Sequence, residues 1–273
     1  MKSLAVFVGY SKDGVIDDNC RLYINEIADV FDDVIFSSNV KMEFPHENIT
    51  SYQYDKNGYD FGYFYQALNS VNAFEKYDTI GFFNDSNYVI KSVKDILLWC
   101  IDSDNDFCGI TDNIGGRPDV SIPDQTHIQT HFIVYKKRAI ELMKSYFDKI
   151  NFQKYLDGKL ASDALRKSII IECEIMMSRY FIERGLKMDA YYLSNEWIPR
   201  LNPNISVKEN THIYLWKELI EKANYPLIKR KIYDNSFDAI DTKGISDNKN
   251  IFPINMARMI VAEHADDEFK HTL

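Results

Sequence analysis

Asn57-Gly58-Tyr59-Asp60-Phe61-Gly62, and after it Asn84-Asp85-Ser86, decide how this chain is read. Each stretch follows a segment with the composition of a strand: Asn48 to Tyr54 leads into the first and Tyr77 to Phe83 into the second. In an open α/β sheet, ligands bind in the crevice outside the carboxyl ends of neighbouring strands. Gly58 and Gly62 permit tight turns and close approach of a ligand to backbone. Asp60 and Asp85 would then face one crevice, suited to sugar hydroxyls or to a divalent cation carrying a diphosphate. From spacing alone, two ordinary surface turns read the same way.

Outward from these loops, strands and helices alternate. Leu4–Val8, Asp33–Phe36, Ile49–Tyr54, Thr79–Phe83, Phe107–Ile110 and Ile128–Tyr135 read as strands. Helical apolar spacing marks 17–31, 63–74, 93–101 and 137–149. Alternation of this kind predicts a mostly parallel sheet with helices on both faces. Residues 171–185 form a further amphipathic helix with Gly185 as its stop. Gly115 to Gln125 is polar and reads as a connection or a lid. The pattern weakens near residue 235. The expected organisation is one domain over 1–235, then a linker and helical tail over 236–273.

The chain has 273 residues, is 45% hydrophobic and carries a formal net charge of -9. That composition supports a substantial core and argues against nucleic acid as the main partner. The basic clusters Tyr135-Lys-Lys-Arg138 and Lys229-Arg-Lys231 fit either solvated helix ends or contact with a diphosphate or an anionic lipid surface. Cys20, Cys100, Cys108 and Cys173 lack metal-type spacing and read as buried thiols of a reducing compartment. No run is long enough to span a membrane. The expected location is the cytoplasm, with peripheral contact at the inner face of the cell membrane.

The loops that open this section resemble the "N-G-x-D-F-G … N-D-S" signature of the rhamnan synthesis protein F family, bacterial glycosyltransferases with a GT-A-type fold. Further likenesses follow in order: Ala5-Val-Phe-Val-Gly-Tyr-Ser-Lys-Asp-Gly14, Val34-Ile-Phe-Ser-Ser-Asn39, Gly109-Ile-Thr-Asp112, His127-Ile-Gln-Thr-His-Phe-Ile-Val-Tyr135, then Trp216-Lys-Glu-Leu-Ile220 with Tyr225-Pro-Leu-Ile-Lys229. Thr130 and His131 depart from the family's Ser and aromatic residue. The resemblance implies a GT-A-like, Rossmann-like α/β fold. It also implies transfer of a hexose or deoxyhexose, rhamnose or galactose in type, from a dTDP- or UDP-linked sugar. The acceptor is a hydroxyl of a surface polysaccharide such as O-antigen or capsule, presented on a lipid-linked glycan.

Such a transfer must stabilise the leaving diphosphate, orient the sugar and, if it inverts, deprotonate the acceptor. Asn84-Asp85-Ser86 stands where GT-A enzymes carry Asp-x-Asp, so Asp85 is the expected donor or metal residue. With one carboxylate of three, the site suits either manganese or magnesium held together with phosphates and water, or a weaker metal site or none; His212 is a late candidate ligand. Asn57, Gly58 and Asp60 are placed on the donor sugar or ribose, and Gly9 and Tyr10 on the base. Lys229 is assigned to the diphosphate. By resemblance, Glu174 stands in register with the catalytic base of inverting GT-A enzymes and is expected at a helix start, where a carboxylate ionises readily. Glu172 and Asp112 are the alternatives. His127 and Gln129 are candidate acceptor contacts. Two other readings compete: a non-catalytic nucleotide- or glycan-binding module, and a sugar-phosphate transferase of capsule assembly.

Overall fold

The computed structural model describes residues 1–54, 58–71, 73–115, 121–158, 162–234 and 254–273. The first half alternates β1 (Ser3–Gly9), α1 (Asp18–Ala28), β2 (Asp33–Ser38), β3 (Ile49–Gln53), α2 (Tyr59–Ser70), β4 (Thr79–Asn84), β5 (Asn87–Val89), α3 (Lys94–Asp102) and β6 (Phe107–Asn113). Then come β7 (His127–Ile128), β8 (Phe132–Lys136), α4 (Lys137–Lys149), α5 (Gln153–Leu156), α6 (Ser162–Ile169), a π-helical stretch (Ile170–Ile175) and α7 (Met176–Ile182). The remainder is β9 (Met188–Tyr192), α8 (Ser194–Leu201), α9 (Thr211–Tyr214), α10 (Trp216–Ala223), β10 (Leu227–Lys229), α11 (Arg230–Tyr233), α12 (Ile254–His264) and α13 (Asp267–Lys270).

The main sheet runs β3-β2-β1-β4-β8-β6, with β7 and β9 also paired to β6. Strands β1 to β4 are mutually parallel wherever they pair, and β9 is parallel to β6. β8 runs against both β4 and β6. This is the α/β architecture expected from the sequence, with helices on both faces. β1 is buried along its whole length, which is why its sequence is an unbroken apolar run rather than an alternation. On one face, α2, α4 and α7 bury Phe64, Met143 and Phe181 against Val6, Phe82 and Tyr135. On the other, α1 and α3 bury Tyr23, Ile24 and Leu97 against Phe7, Phe83 and Val134. All four cysteines are free and buried.

Three expectations are corrected. The strand expected over 128–135 is two pieces: Asp112 and Asn113 pair with β7, whereas Phe107 to Gly109 pair with β8. At 129–131 a turn in which Phe132 N–H reaches the Gln129 carbonyl shifts the register, while both pieces stay antiparallel to β6. Helix α2 starts at Tyr59, so Asp60 and Gly62 lie in its first turn, not in a loop. The helix expected over 171–185 begins at Ser162, so Glu174 is inside a helix rather than at its start. Gly185 does stop it, at φ +76°.

The region after residue 235 divides in two. The expected linker lies outside the described residues. The tail packs: α12 buries Ala257, Ile260 and Val261 against Ile90, Trp216 and Ile228. Asn19, on α1, donates to both the Val89 carbonyl and Thr272 Oγ1, which ties the tail to β5.

Candidate active site

The carboxyl ends of β1 and β4 meet at a loop clamped from several sides. Asp85 N–H donates to the Val8 carbonyl at 3.0 Å, and the Asp85 carboxylate accepts the Tyr10 N–H at 2.8 Å. The Ser86 N–H donates to Asn84 Oδ1 at 3.1 Å. Behind the loop, β5 pairs with β10, so Asn87 faces Lys229 in register. Arg230 then donates its backbone N–H to the Ser86 carbonyl and its Nε–H to the Asp85 carbonyl. The loop after β1 is held by Asn39, which accepts Ser11 N–H at 3.0 Å and returns a bond to the Ser11 carbonyl.

Asn84 points to the opposite side of the loop, where its amide donates to the Asp60 carboxylate. The two glycines of the opening stretch make that meeting possible by closeness, not by a turn. A Cβ at Gly58 would stand 2.9 Å from both Gly62 Cα and Leu156 Cδ2. A Cβ at Gly62 would stand 3.1 Å from Leu156 Cδ2. Asn57 lies outside the described residues. Gly9 passes over the Phe36 ring, 2.9 Å from where its Cβ would be. Phe61 is buried beneath the helix.

Desolvation pushes the Asp60 carboxyl up to about 6, with the Glu174 charge adding to it and Lys229, the Asn84 hydrogen bond and Arg166 opposing. Asp85 is pushed up to about 7, again mainly by desolvation, with the Tyr10 N–H and Arg230 opposing. Asp60, Glu174, Lys229 and Arg166 therefore share one electrostatic environment. Arg166, on α6, was not among the residues singled out from sequence.

Glu174 sits in the π-helical stretch. A widened turn of this kind is common at functional sites. Thr130 Oγ1 donates to Glu174 Oε1 at 2.9 Å, and His127 Nε2 stands 3.8 Å from Oε2. His127 Nδ1 lies 2.6 Å from the Gln125 carbonyl, which places a proton on Nδ1 and a lone pair on Nε2. Burial holds His127 below its ordinary value, against the Gln125 bond and Asp112. The contact with Glu174 is therefore neutral ring to carboxylate, not an ion pair. Gln129 is buried and its amide nitrogen has no partner among the described residues.

The other candidates lie elsewhere. Glu172 is bound at both oxygens by Lys154 at 2.9 Å and also receives the Tyr155 hydroxyl. The Asp112 carboxylate accepts the Ser194 N–H at 2.7 Å, at the first residue of α8. Lys136, Lys137 and Arg138, the first basic cluster, bond to Ile101, Glu75 and Asp106. His212 is fully buried between His131, at 4.8 Å between ring centroids, and Tyr225, whose hydroxyl is 3.4 Å from Nδ1. Burial and Lys229 keep both imidazoles well below the ordinary range. Among the described residues, no three of His, Cys, Asp and Glu gather so as to hold a metal ion.

A cavity of about 270 Å³ opens beside the loop, lined by Tyr10, Val15, Ile16, Asp17, Cys20, Asp85, Ser86 and Arg230. Asp17 caps α1 by accepting the Cys20 N–H at 2.8 Å, and it also accepts from both terminal nitrogens of Arg230. Arg230 lies over the Tyr88 ring at 4.1 Å. Tyr10 and Val15 are exposed at the rim. Arg230 belongs to the basic cluster that the sequence offered for a diphosphate or a solvated helix end; Asp17 was missed, because a lone acid carries no signal of its own. No helix among the described residues is long and apolar enough to cross a membrane.

Several solved structures are similar to this chain, at low identity and low structural overlap. A putative glucose-1-phosphate thymidylyltransferase from Bacillus anthracis is 9% identical, with a TM-score of 0.42 over 70% of this chain and 86% of that one. The Francisella tularensis 2-C-methyl-D-erythritol 4-phosphate cytidylyltransferase is 10% identical, with a TM-score of 0.41 over 70% and 90%. A glycosyltransferase involved in glycosylation of the major capsid of PBCV-1 is 11% identical, with a TM-score of 0.35 over 83% and 94%. No curated protein matches the chain. The sequence profile of rhamnan synthesis protein F matches residues 46–264, which takes in Asp60, Asn84, Asp85, Glu174 and α12, and the chain belongs to that family.

Proposed function

We propose that the protein is a glycosyltransferase. It moves a hexose or deoxyhexose from a nucleoside diphosphate to a hydroxyl of a bacterial surface polysaccharide or lipid-linked glycan, with inversion. Family membership supports the sugar-transfer role. The observation that carries the rest is the convergence of Asp60, Asn84, Asp85 and Glu174 with Lys229 and Arg166 at the carboxyl ends of the strands.

In this reading the nucleoside occupies the cavity edged by Tyr10, with its ribose hydroxyls towards Asp85. The sugar crosses the loop to Asp60 and Asn84. The acceptor hydroxyl enters beside Gln129 and His127 and gives its proton to Glu174 as the new bond to the anomeric carbon forms. The old anomeric C–O bond breaks and its electron pair leaves with the diphosphate. Thr130 holds Glu174 in place by its hydrogen bond. Rhamnose from a dTDP donor and galactose from a UDP donor are the two sugars to try first. The work site is the cytoplasmic face of the membrane, where a lipid-linked acceptor and a nucleotide sugar meet.

The test is incubation of the protein with UDP-, dTDP- and GDP-sugars, with and without manganese and a lipid-linked acceptor, while free nucleotide is measured. Release of nucleoside diphosphate from one donor supports the proposal and names the sugar. Nucleoside monophosphate would instead mean sugar-phosphate transfer. Nucleotide binding without any release would mean a binding module.

A further inference from the structure

GT-A folds commonly neutralise the donor diphosphate with a divalent ion held by acidic ligands, and the residues of this chain fit such an ion poorly. Asn84-Asp85-Ser86 supplies one carboxylate, and that carboxylate already accepts the Tyr10 N–H at 2.8 Å. The nearest other acid in the cavity, Asp17, has both oxygens engaged by Arg230. What stands beside the Asp85 loop is a guanidinium. We propose that Arg230, rather than a divalent ion, binds and neutralises the leaving diphosphate of the donor. The inference rests on the donor reading above.

The geometry supports it in three ways. Arg230 is fixed: its backbone N–H holds the Ser86 carbonyl, its Nε–H holds the Asp85 carbonyl, and its plane lies over Tyr88. A guanidinium carries five N–H donors in a rigid fork. The bonds to Asp85 and Asp17 use three of them, which leaves two terminal N–H groups for phosphate oxygens without release of the anchors. The group also lines a cavity that contains Asp85, Ser86 and Tyr10 together. When the anomeric C–O bond breaks, the electron pair and the added negative charge stay on the diphosphate. A fixed guanidinium at that place stabilises the charge with no rearrangement at the moment of reaction. Asp17 is the counter-charge that keeps Arg230 in position while the cavity is empty.

Calorimetric titration of the full chain with UDP, dTDP and the matching nucleosides tests this, in EDTA and in excess manganese. The wild type should bind a nucleoside diphosphate in EDTA within about threefold of its affinity in manganese. Arg230→Gln should weaken diphosphate binding by roughly thirtyfold, about 2 kcal/mol at 1.4 kcal/mol per tenfold, and leave nucleoside binding within about twofold. Arg230→Lys keeps the charge, loses the fork and should fall between. Asp17→Asn keeps the helix cap, removes the competing charge and should tighten diphosphate binding severalfold. Affinity that vanishes in EDTA and returns with manganese overturns the inference while the donor reading stands; this arm needs no variant to fold. So does wild-type diphosphate affinity in Arg230→Gln. If neither nucleosides nor diphosphates bind under any condition, the donor reading fails and takes this inference with it.

Discussion

Asp85→Asn should make the protein more stable and less able to bind its donor. Desolvation puts the Asp85 carboxyl at about 7 in the folded chain, against an ordinary 3.8. Below 3.8 the group is protonated in folded and unfolded chains alike and costs nothing. Between 3.8 and about 7 the unfolded chain ionises first, so wild-type stability falls as pH rises; above about 7 the deficit is complete. Its ceiling is ~4 kcal/mol, at about 1.4 kcal/mol per pH unit. Asp85 is only half-buried and solvent screens its charge, so about 2 kcal/mol is the working figure. Asparagine keeps an oxygen for the Tyr10 N–H and never ionises. The variant should therefore melt roughly 4–8 °C above wild type at pH 8 and within about 1 °C of it at pH 4. Thermal melts in a pH series measure this, with denaturant titrations at both ends. Equal stability at pH 8, or a difference that persists at pH 4, would refute the argument that a buried charge is carried here for function.

Glu174→Gln should lower transfer by about 10²-fold or more while donor affinity stays within about twofold, read by turnover and calorimetry; unchanged turnover removes Glu174 as base. Gly58→Ala should cost about 1–3 kcal/mol, because its Cβ meets the Gly62 backbone as well as Leu156, and it should displace Asp60; denaturation together with donor affinity reports both effects. Ile260→Ala should cost about 2–4 kcal/mol in chemical denaturation of the full chain, since the side chain is buried beneath α12; a loss under about 0.5 kcal/mol would mean that the helix is not docked in solution.

The sheet was legible because its strands are covered on both faces, and burial of that kind writes itself as apolar runs such as Leu4–Val8. The Asn84-Asp85-Ser86 loop was singled out by a resemblance, because from spacing alone it reads equally as a surface turn. What was not legible depends on neighbours far along the chain. Nothing in Asp17 or Arg230 announces that they meet, 213 positions apart. The break between β7 and β8 was hidden because Thr130 and His131 have good strand propensity, and only β6, which pairs with β7 and β8 at different levels, forces the turn. Glu174 was found from a resemblance, but its setting was misread. A π-helical stretch has no compositional mark, and an acid near Ile170 looks like a first-turn residue when the helix before it is not anticipated.

The β5–β10 ribbon sets an order for biosynthesis. The nascent chain can assemble β1 to β4 as soon as they leave the ribosome, since these strands pair among themselves. The Asp85 loop then has its bonds to Val8 and Tyr10 but lacks its second brace, which is made of Leu227–Lys229, Arg230 and, through Asn19, Thr272. For most of its synthesis the protein would therefore carry a formed sheet with an unfinished crevice.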